Sequence, residues 1–167
     1  MFKVKNKKTK EIIQVLDTHC DEYGAAWFLI WENNGWRWRA ANNFVPPNYE
    51  PKVKMLVAGS RDFQNYPLMR KELDKEKDRI EEIVSGDAKG ADTYGCMWAR
   101  DNDIPIRHCP ADWQKYGASA GYVRNKQMGD YADELIAFWD GMSPGTKDMI
   151  EYMKKLGKKV TIIEFNK

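Results

Sequence analysis

An apolar run that closes on Gly-Ser constrains this chain more than any other feature. Residues 53–58 read V-K-M-L-V-A, and Gly59-Ser60-Arg61-Asp62 follows. A short run of this kind suits a strand buried on both faces, and Gly-Ser ends it in a tight turn. If a helix follows, its first backbone N–H groups have no intrahelical partner and form a ready anion site. The same strand, glycine-containing turn and helix recur at residues 85–92 (S-G-D-A-K-G-A-D) and 140–146 (D-G-M-S-P-G-T).

The remaining pattern predicts further strands at residues 80–84, 104–108, 134–139 and 160–163. Helices are predicted over residues 66–77, from 91 to about 101, over 119–130, and from 145 to about 156. Pro67 suits a first helical turn and Gly157 a C-terminal stop. Residues 109–118 read as a loop, in which Trp113 and Tyr116 suit either base stacking or packing. Strands alternating with helices give the fold class: α/β, an open parallel five-stranded sheet with helices on both faces, over residues 52–167.

Residues 1–48 differ in character. Four of the seven tryptophans lie there, and Asn33-Asn34-Gly35 separates two β-type runs as a hairpin turn would. Pro46-Pro47 closes the segment. The expectation is a small antiparallel β module of three or four strands, for which an SH3-like barrel is one form. Trp36 and Trp38 alternate with Arg37 and Arg39. That alternation describes either an aromatic, basic surface for bases or peptides, or a sheet with one core face and one solvated face. The second is preferred, because a module of ~45 residues needs large aromatics to assemble a core.

Composition narrows the function classes. A net charge of +2 gives no strong pull toward nucleic acid or membrane. No stretch approaches the ~20 apolar residues of a spanning helix, and no apolar segment follows the Lys-rich N-terminus, so a cytoplasmic protein is expected. Cys20, Cys96 and Cys109 are an odd number without close spacing, which suits a reducing compartment. His19-Cys20 and His108-Cys109 formally make a Cys₂His₂ set. Two ordinary imidazoles beside two buried thiols is the preferred reading, and neither a metal nor a cofactor is expected.

In an open parallel sheet, ligands bind beyond the carboxyl ends of the strands, where strand order reverses. Gly59, Ser60, Ser85, Gly86, Ala88, Gly141, Ser143, Gly145 and Thr146 all fall at that edge. Glycine lets the backbone approach a phosphate, and the hydroxyls add donors. Arg61 and Arg124 offer bidentate contacts to phosphate, with Asn125 beside the latter. Asp62, Asp87, Asp92 or Asp140 could accept from ribose hydroxyls. Neither G-x-G-x-x-G nor a P-loop occurs in the chain.

Six motifs then occur in order: V-A-G-S-R-D-F, S-G-D-A-K-G-A-D, P-A-D-W, A-G-Y-V-R-N-K-Q-M, A-D-E-L-I-A-F-W-D-G and G-T-K-D-M-I-E-Y-M-K-K-L-G-K-K-V. Over about residues 52–163 they resemble the YspA-like branch of the SLOG superfamily. The resemblance implies a Rossmann-like fold that binds nucleotides or nucleotide-derived ligands. Asp87 stands where that family often has Gly.

Members of the superfamily divide in function. Some are phosphoribohydrolases (the LOG enzymes), some sense ADP-ribose-like or cyclic signals in antiviral defence, and one group handles single-stranded DNA. The LOG enzymes use an Arg in R-K-x-x-M and a Glu two residues past Gly-Thr. By that resemblance Arg124 and Asp148 are the catalytic candidates of a hydrolase, but Asp148 is one methylene short of the Glu. A misplacement of ~1 Å can cost about a hundredfold in rate. The resemblance therefore favours a non-catalytic binder of a nucleotide-like small molecule. A phage counter-defence protein that sequesters an ADP-ribose-type or cyclic signal is one form of it, and relatives often form homodimers or higher oligomers. Cleavage of the N-glycosidic bond of nucleoside monophosphates is the first alternative. A single-stranded nucleic-acid module is the second, and the near-neutral charge speaks against it.

Overall fold

Five strands open the chain: β1 (Phe2–Asn6), β2 (Ile12–Cys20), β3 (Ala26–Glu32), β4 (Gly35–Ala40) and β5 (Phe44–Val45). The computed structural model describes residues 1–49 and 51–166. Glu50 and Lys167 lie outside them. The chain divides into two units, Met1–Pro51 and Lys52–Lys167.

In the first unit the sheet order is β4-β3-β2-β1-β5, antiparallel throughout. This is one strand more than the sequence suggested, because β1 pairs on both sides. Asn33 and Asn34 have φ of 47° and 59°, and Glu32 pairs with Gly35. Positive φ at both central positions is a type I′ turn, whose twist matches the strands it joins. The core is small: Val4, Val15, Ile30 and Phe44, with Ile13 and Phe28 against it. The edge strand β4 has no covered face. Trp36 is 52% exposed and Trp38 42%, so the Trp–Arg alternation does not separate a core face from a solvated one. Arg37 and Arg39 both reach Glu32.

The second unit runs β6 (Val53–Gly59), α1 (Tyr66–Asp74), β7 (Ile80–Ser85), α2 (Ala91–Asp101), β8 (Ile106–His108), α3 (Trp113–Tyr116), α4 (Ala120–Tyr131), β9 (Glu134–Trp139), α5 (Pro144–Lys155) and β10 (Lys159–Glu164). All five strands are parallel, in the order β10-β9-β6-β7-β8. The opening run is therefore the central strand. Successive side chains of a strand point to opposite faces. Val53, Met55 and Val57 join Leu73 of α1 and Trp98 of α2 in one core. Leu56 and Ala58 join Met128 of α4 and Ile150 of α5 in the other.

Two local predictions are corrected. The 109–118 loop contains α3, fixed by Asp112, whose Oδ1 accepts from Lys115 N at 2.9 Å. The strand expected from Ile104 begins at Ile106, and the carbonyl of Pro105 accepts from Ile83 N at 2.9 Å. No helix among the described residues is long and apolar enough to cross a membrane.

The chain leaves β6 toward β7 and β8 on one side, then returns to β9 and β10 on the other. Strand order thus reverses between β6 and β9, the place where an open sheet leaves a crevice at its carboxyl edge.

Candidate functional site

A cleft of about 600 Å³ opens at this reversal. The turn after β6 contributes Gly59, Ser60, Arg61 and Asp62. The start of α2 contributes Ala88 and Asp92, and α4 contributes Arg124 and Asn125. The β9–α5 junction contributes Asp140, Ser143, Gly145 and Thr146.

The β6 turn is held tightly. Ser60 is buried, its N–H donates to Phe138 O at 2.9 Å, and its Oγ accepts from Asp140 N at 3.2 Å. Ser60 thereby ties β6 to the end of β9 and still has a hydroxyl proton to donate. A Cβ at Gly59 would lie 2.3 Å from Phe138 O and 2.6 Å from Ala91 Cβ. Close packing of β9 and α2 thus requires glycine here, independently of any ligand.

On the second wall Asp92 is buried and accepts from Gly86 N at 3.0 Å and Ala88 N at 3.3 Å. Its carboxylate closes the 86–92 loop. Burial pushes its pKa up to about 6, against the pull of the nearby Arg124 guanidinium and those two N–H donors.

Arg124 lies against Gly86, its Nη1 donating to the Gly86 carbonyl. A Cβ on Gly86 would come within 2.2 Å of that nitrogen, so glycine makes room for the guanidinium. The Arg124 Nε–H is buried without a hydrogen-bond partner. The neighbouring Asn125 donates through Nδ2 to Gly145 O at 3.2 Å and to Asp148 Oδ2 at 3.0 Å. One dipeptide of α4 therefore braces both the 86–92 loop and the start of α5.

The first turn of α5 carries no acidic residue, and its N-cap Ser143 makes no side-chain cap bond. Asp140 Oδ1 accepts from Met142 N and Ser143 N and shapes the approach. The Gly145 and Thr146 N–H groups open the helix, where backbone donors and the helix dipole favour an anion. Thr146 is buried, and its Oγ1 donates to Ser143 Oγ at 3.1 Å.

Five expected site residues do not line the cleft. Ser85 is buried behind the loop, its Oγ accepting from Asp87 N at 3.2 Å. Gly86 faces Arg124. Asp87 turns outward at φ 56° to His108. Gly141 is an exposed turn residue at φ 76°. Asp148 is held by Asn125.

Trp113 and Tyr122, both more than half exposed, also line the cleft, whereas Tyr116 does not. Tyr122 was not singled out in the sequence, although a signal for it existed. Ala118, Gly121, Tyr122 and Asn125 are spaced as one face of a helix, and all four line the cleft.

Comparison with known proteins gives three matches. The profile of the family described as YspA, cpYpsA-related SLOG matches residues 53–116. Gene 61 protein of Mycobacterium phage D29 is 32% identical over 122 residues, covering 67% of this chain and 95% of that protein. The X-ray structure of DNA processing protein A (DprA) from Streptococcus pneumoniae superposes with a TM-score of 0.58 at 18% identity, over 69% of this chain. The match spans about half (51%) of the DprA chain, and the likeness is one of fold.

Proposed function

We propose, for a chain that belongs to the YspA, cpYpsA-related SLOG family, that the cleft between β6 and β9 binds a nucleotide or nucleotide-derived small molecule and does not cleave it. The observation that carries this reading is the pairing, in one cleft, of Arg124 with an α5 N-terminus free of acidic residues. Together they supply a cation and aligned N–H donors to a phosphate. A buried N–H without a partner costs about 1–3 kcal/mol. A phosphate that draws the guanidinium into the cleft relieves that cost at Arg124 Nε. Trp113 and Tyr122 offer aromatic faces on which a base can stack.

Binding without cleavage is favoured because Asp148 is absent from the cleft lining and its carboxylate is engaged by Asn125. Two of the carboxylates that do line it, Asp92 and Asp140, are committed to loop N–H groups. An ADP-ribose-like or cyclic signal is the proposed ligand class, and the phage relative fits a protein that sequesters such a signal in a host.

Titration calorimetry with AMP, ADP-ribose and a cyclic dinucleotide tests the reading. One-site binding of at least one ligand is expected, and the absence of heat for all three at millimolar concentration would overturn it. Incubation with AMP separates the hydrolase alternative. Free adenine released by the wild type and not by Arg124→Ala would establish cleavage.

A further inference from the structure

Outside the cleft, three donors of different chemistry converge. Asp87 in the turn after β7, Cys96 on α2 and His108 at the end of β8 each place one ligand-type atom within 4.8 Å of the others. The sheet register brings them together: Ser85 pairs with His108, so the turn that follows Ser85 rises beside the imidazole. Cys96 is buried, while the other two are exposed and face solvent.

The local geometry is specific. Asp87 holds φ at 56°, a region in which non-glycine residues are uncommon and which deserves a functional question. In that conformation its Oδ1 lies 2.6 Å from His108 Nδ1, which donates to it. Its own N–H is tied to Ser85 Oγ at 3.2 Å. The backbone strain is thus associated with a carboxylate aimed at an imidazole, over a buried thiol.

We propose that Asp87, Cys96 and His108 form a site for a divalent transition-metal ion of the Zn²⁺ class. A thiolate, an imidazole and a carboxylate are the donor types that a borderline ion such as Zn²⁺ accepts. Ligand distances of about 2.0–2.3 Å around a tetrahedral ion place neighbouring donors roughly 3–4 Å apart. The distances to the Cys96 thiol, within 4.8 Å, need to shorten by at most about 2 Å, and the Asp87–His108 pair, now at 2.6 Å, needs to open slightly, movements that the exposed Asp87 and His108 side chains can make. Binding expels the Cys96 thiol proton to solvent and replaces the Asp87–His108 hydrogen bond with two metal bonds. Three protein donors leave a fourth position for water or an exogenous ligand. The site clamps the turn after β7 to β8, one peptide away from the Gly86 carbonyl that holds Arg124. It does not depend on the nucleotide reading of the cleft.

Cobalt(II) is the probe, added to the full chain after chelator treatment. One equivalent is expected to produce a thiolate-to-cobalt charge-transfer band in the near ultraviolet, and Zn²⁺ to abolish it by displacement. Cys96→Ser is expected to lose the band and Cys109→Ser to keep it. His108→Ala and Asp87→Asn are expected to weaken Zn²⁺ at least tenfold in competition with a chromophoric chelator. These two are surface changes, so the test stands even if Cys96→Ser does not fold. Absence of the band at one equivalent, its persistence in Cys96→Ser, or an unchanged Zn²⁺ affinity in His108→Ala would each overturn the proposal.

Discussion

Trp98 and Trp36 show how differently the two units use the same residue. Trp98 is fully buried in the α/β unit, in one core with Met55 and Leu73, and its Nε1 donates to Asp74 Oδ1 at 2.8 Å. Trp36 stands half exposed on an edge strand, edge-on to Trp31 at 5.1 Å. The α/β unit buries aromatics because helices cover both faces of its sheet. The antiparallel unit rests on Val4, Val15, Ile30 and one buried aromatic, Phe44, with Ile13 and Phe28 packed against them. Its Arg37 and Arg39 are both drawn to Glu32. The proposed binding chemistry lies in the α/β unit, where packing holds the turns in place.

The contrast breaks first at those tryptophans. Trp98→Ala is expected to cost about 3–5 kcal/mol in urea unfolding, because it opens a large cavity and removes the Nε1 hydrogen bond to Asp74. Trp36→Ala is expected to stay within about 0.5 kcal/mol. Equal costs would mean that the antiparallel sheet hides its aromatics in solution.

A pH effect on the order of 3 kcal/mol follows from Asp92. Its folded pKa is about 6 and its ordinary value 3.8, so the folded chain binds more protons between them. The stability contributed by this group is complete below pH 3.8 and is lost as pH rises through about 6. Unfolding curves of wild type and Asp92→Asn, compared from pH 4 to 7, isolate it. The wild type should lose stability relative to the variant over that range, and parallel curves would refute the assignment.

Glycines give a smaller contrast. Gly59→Ala drives a methyl group against Phe138 O and Ala91, at an expected cost of about 1–3 kcal/mol. Gly35→Ala in the antiparallel hairpin meets nothing within 4 Å, and its unfolding midpoint should stay unchanged or rise slightly. Smallest of all, Asn34→Gly should stabilise the type I′ turn by a few tenths of a kcal/mol, roughly the preference for Gly at positive φ. A loss in the same thermal melt would show that the Asn34 side chain contributes something glycine lacks.

The fold was legible wherever apolar runs were bounded by strong punctuation. The strand at residues 134–139 was read to the residue because Asp133 and Asp140 flank six residues of which five are apolar. The last helix was read within a residue from Gly145 and Gly157. Helix α3 escaped because four residues carry no period, and its start depends on one Asp112 cap. The Trp–Arg alternation in β4 was legible as a strand but not as an exposed one. Period two says that a strand has two faces, not that either is covered. Residue types pointed to turns that line the cleft, without revealing the reason for each. Gly59 is explained by β9 and α2, and Asp148 by Asn125. Those partners lie far away in sequence, where no local pattern reports them.

The central claim is that a phosphate-bearing ligand is held by Arg124 and the first turn of α5. Amide and side-chain N–H chemical shifts recorded by NMR during titration with ADP-ribose or AMP test it most directly. Saturable shifts are predicted at the Gly145 and Thr146 amides and at Arg124 Nε–H, with the indole N–H signals of Trp36 and Trp38 unmoved. Shifts confined to those two indoles, with residues 145 and 146 silent, would contradict it.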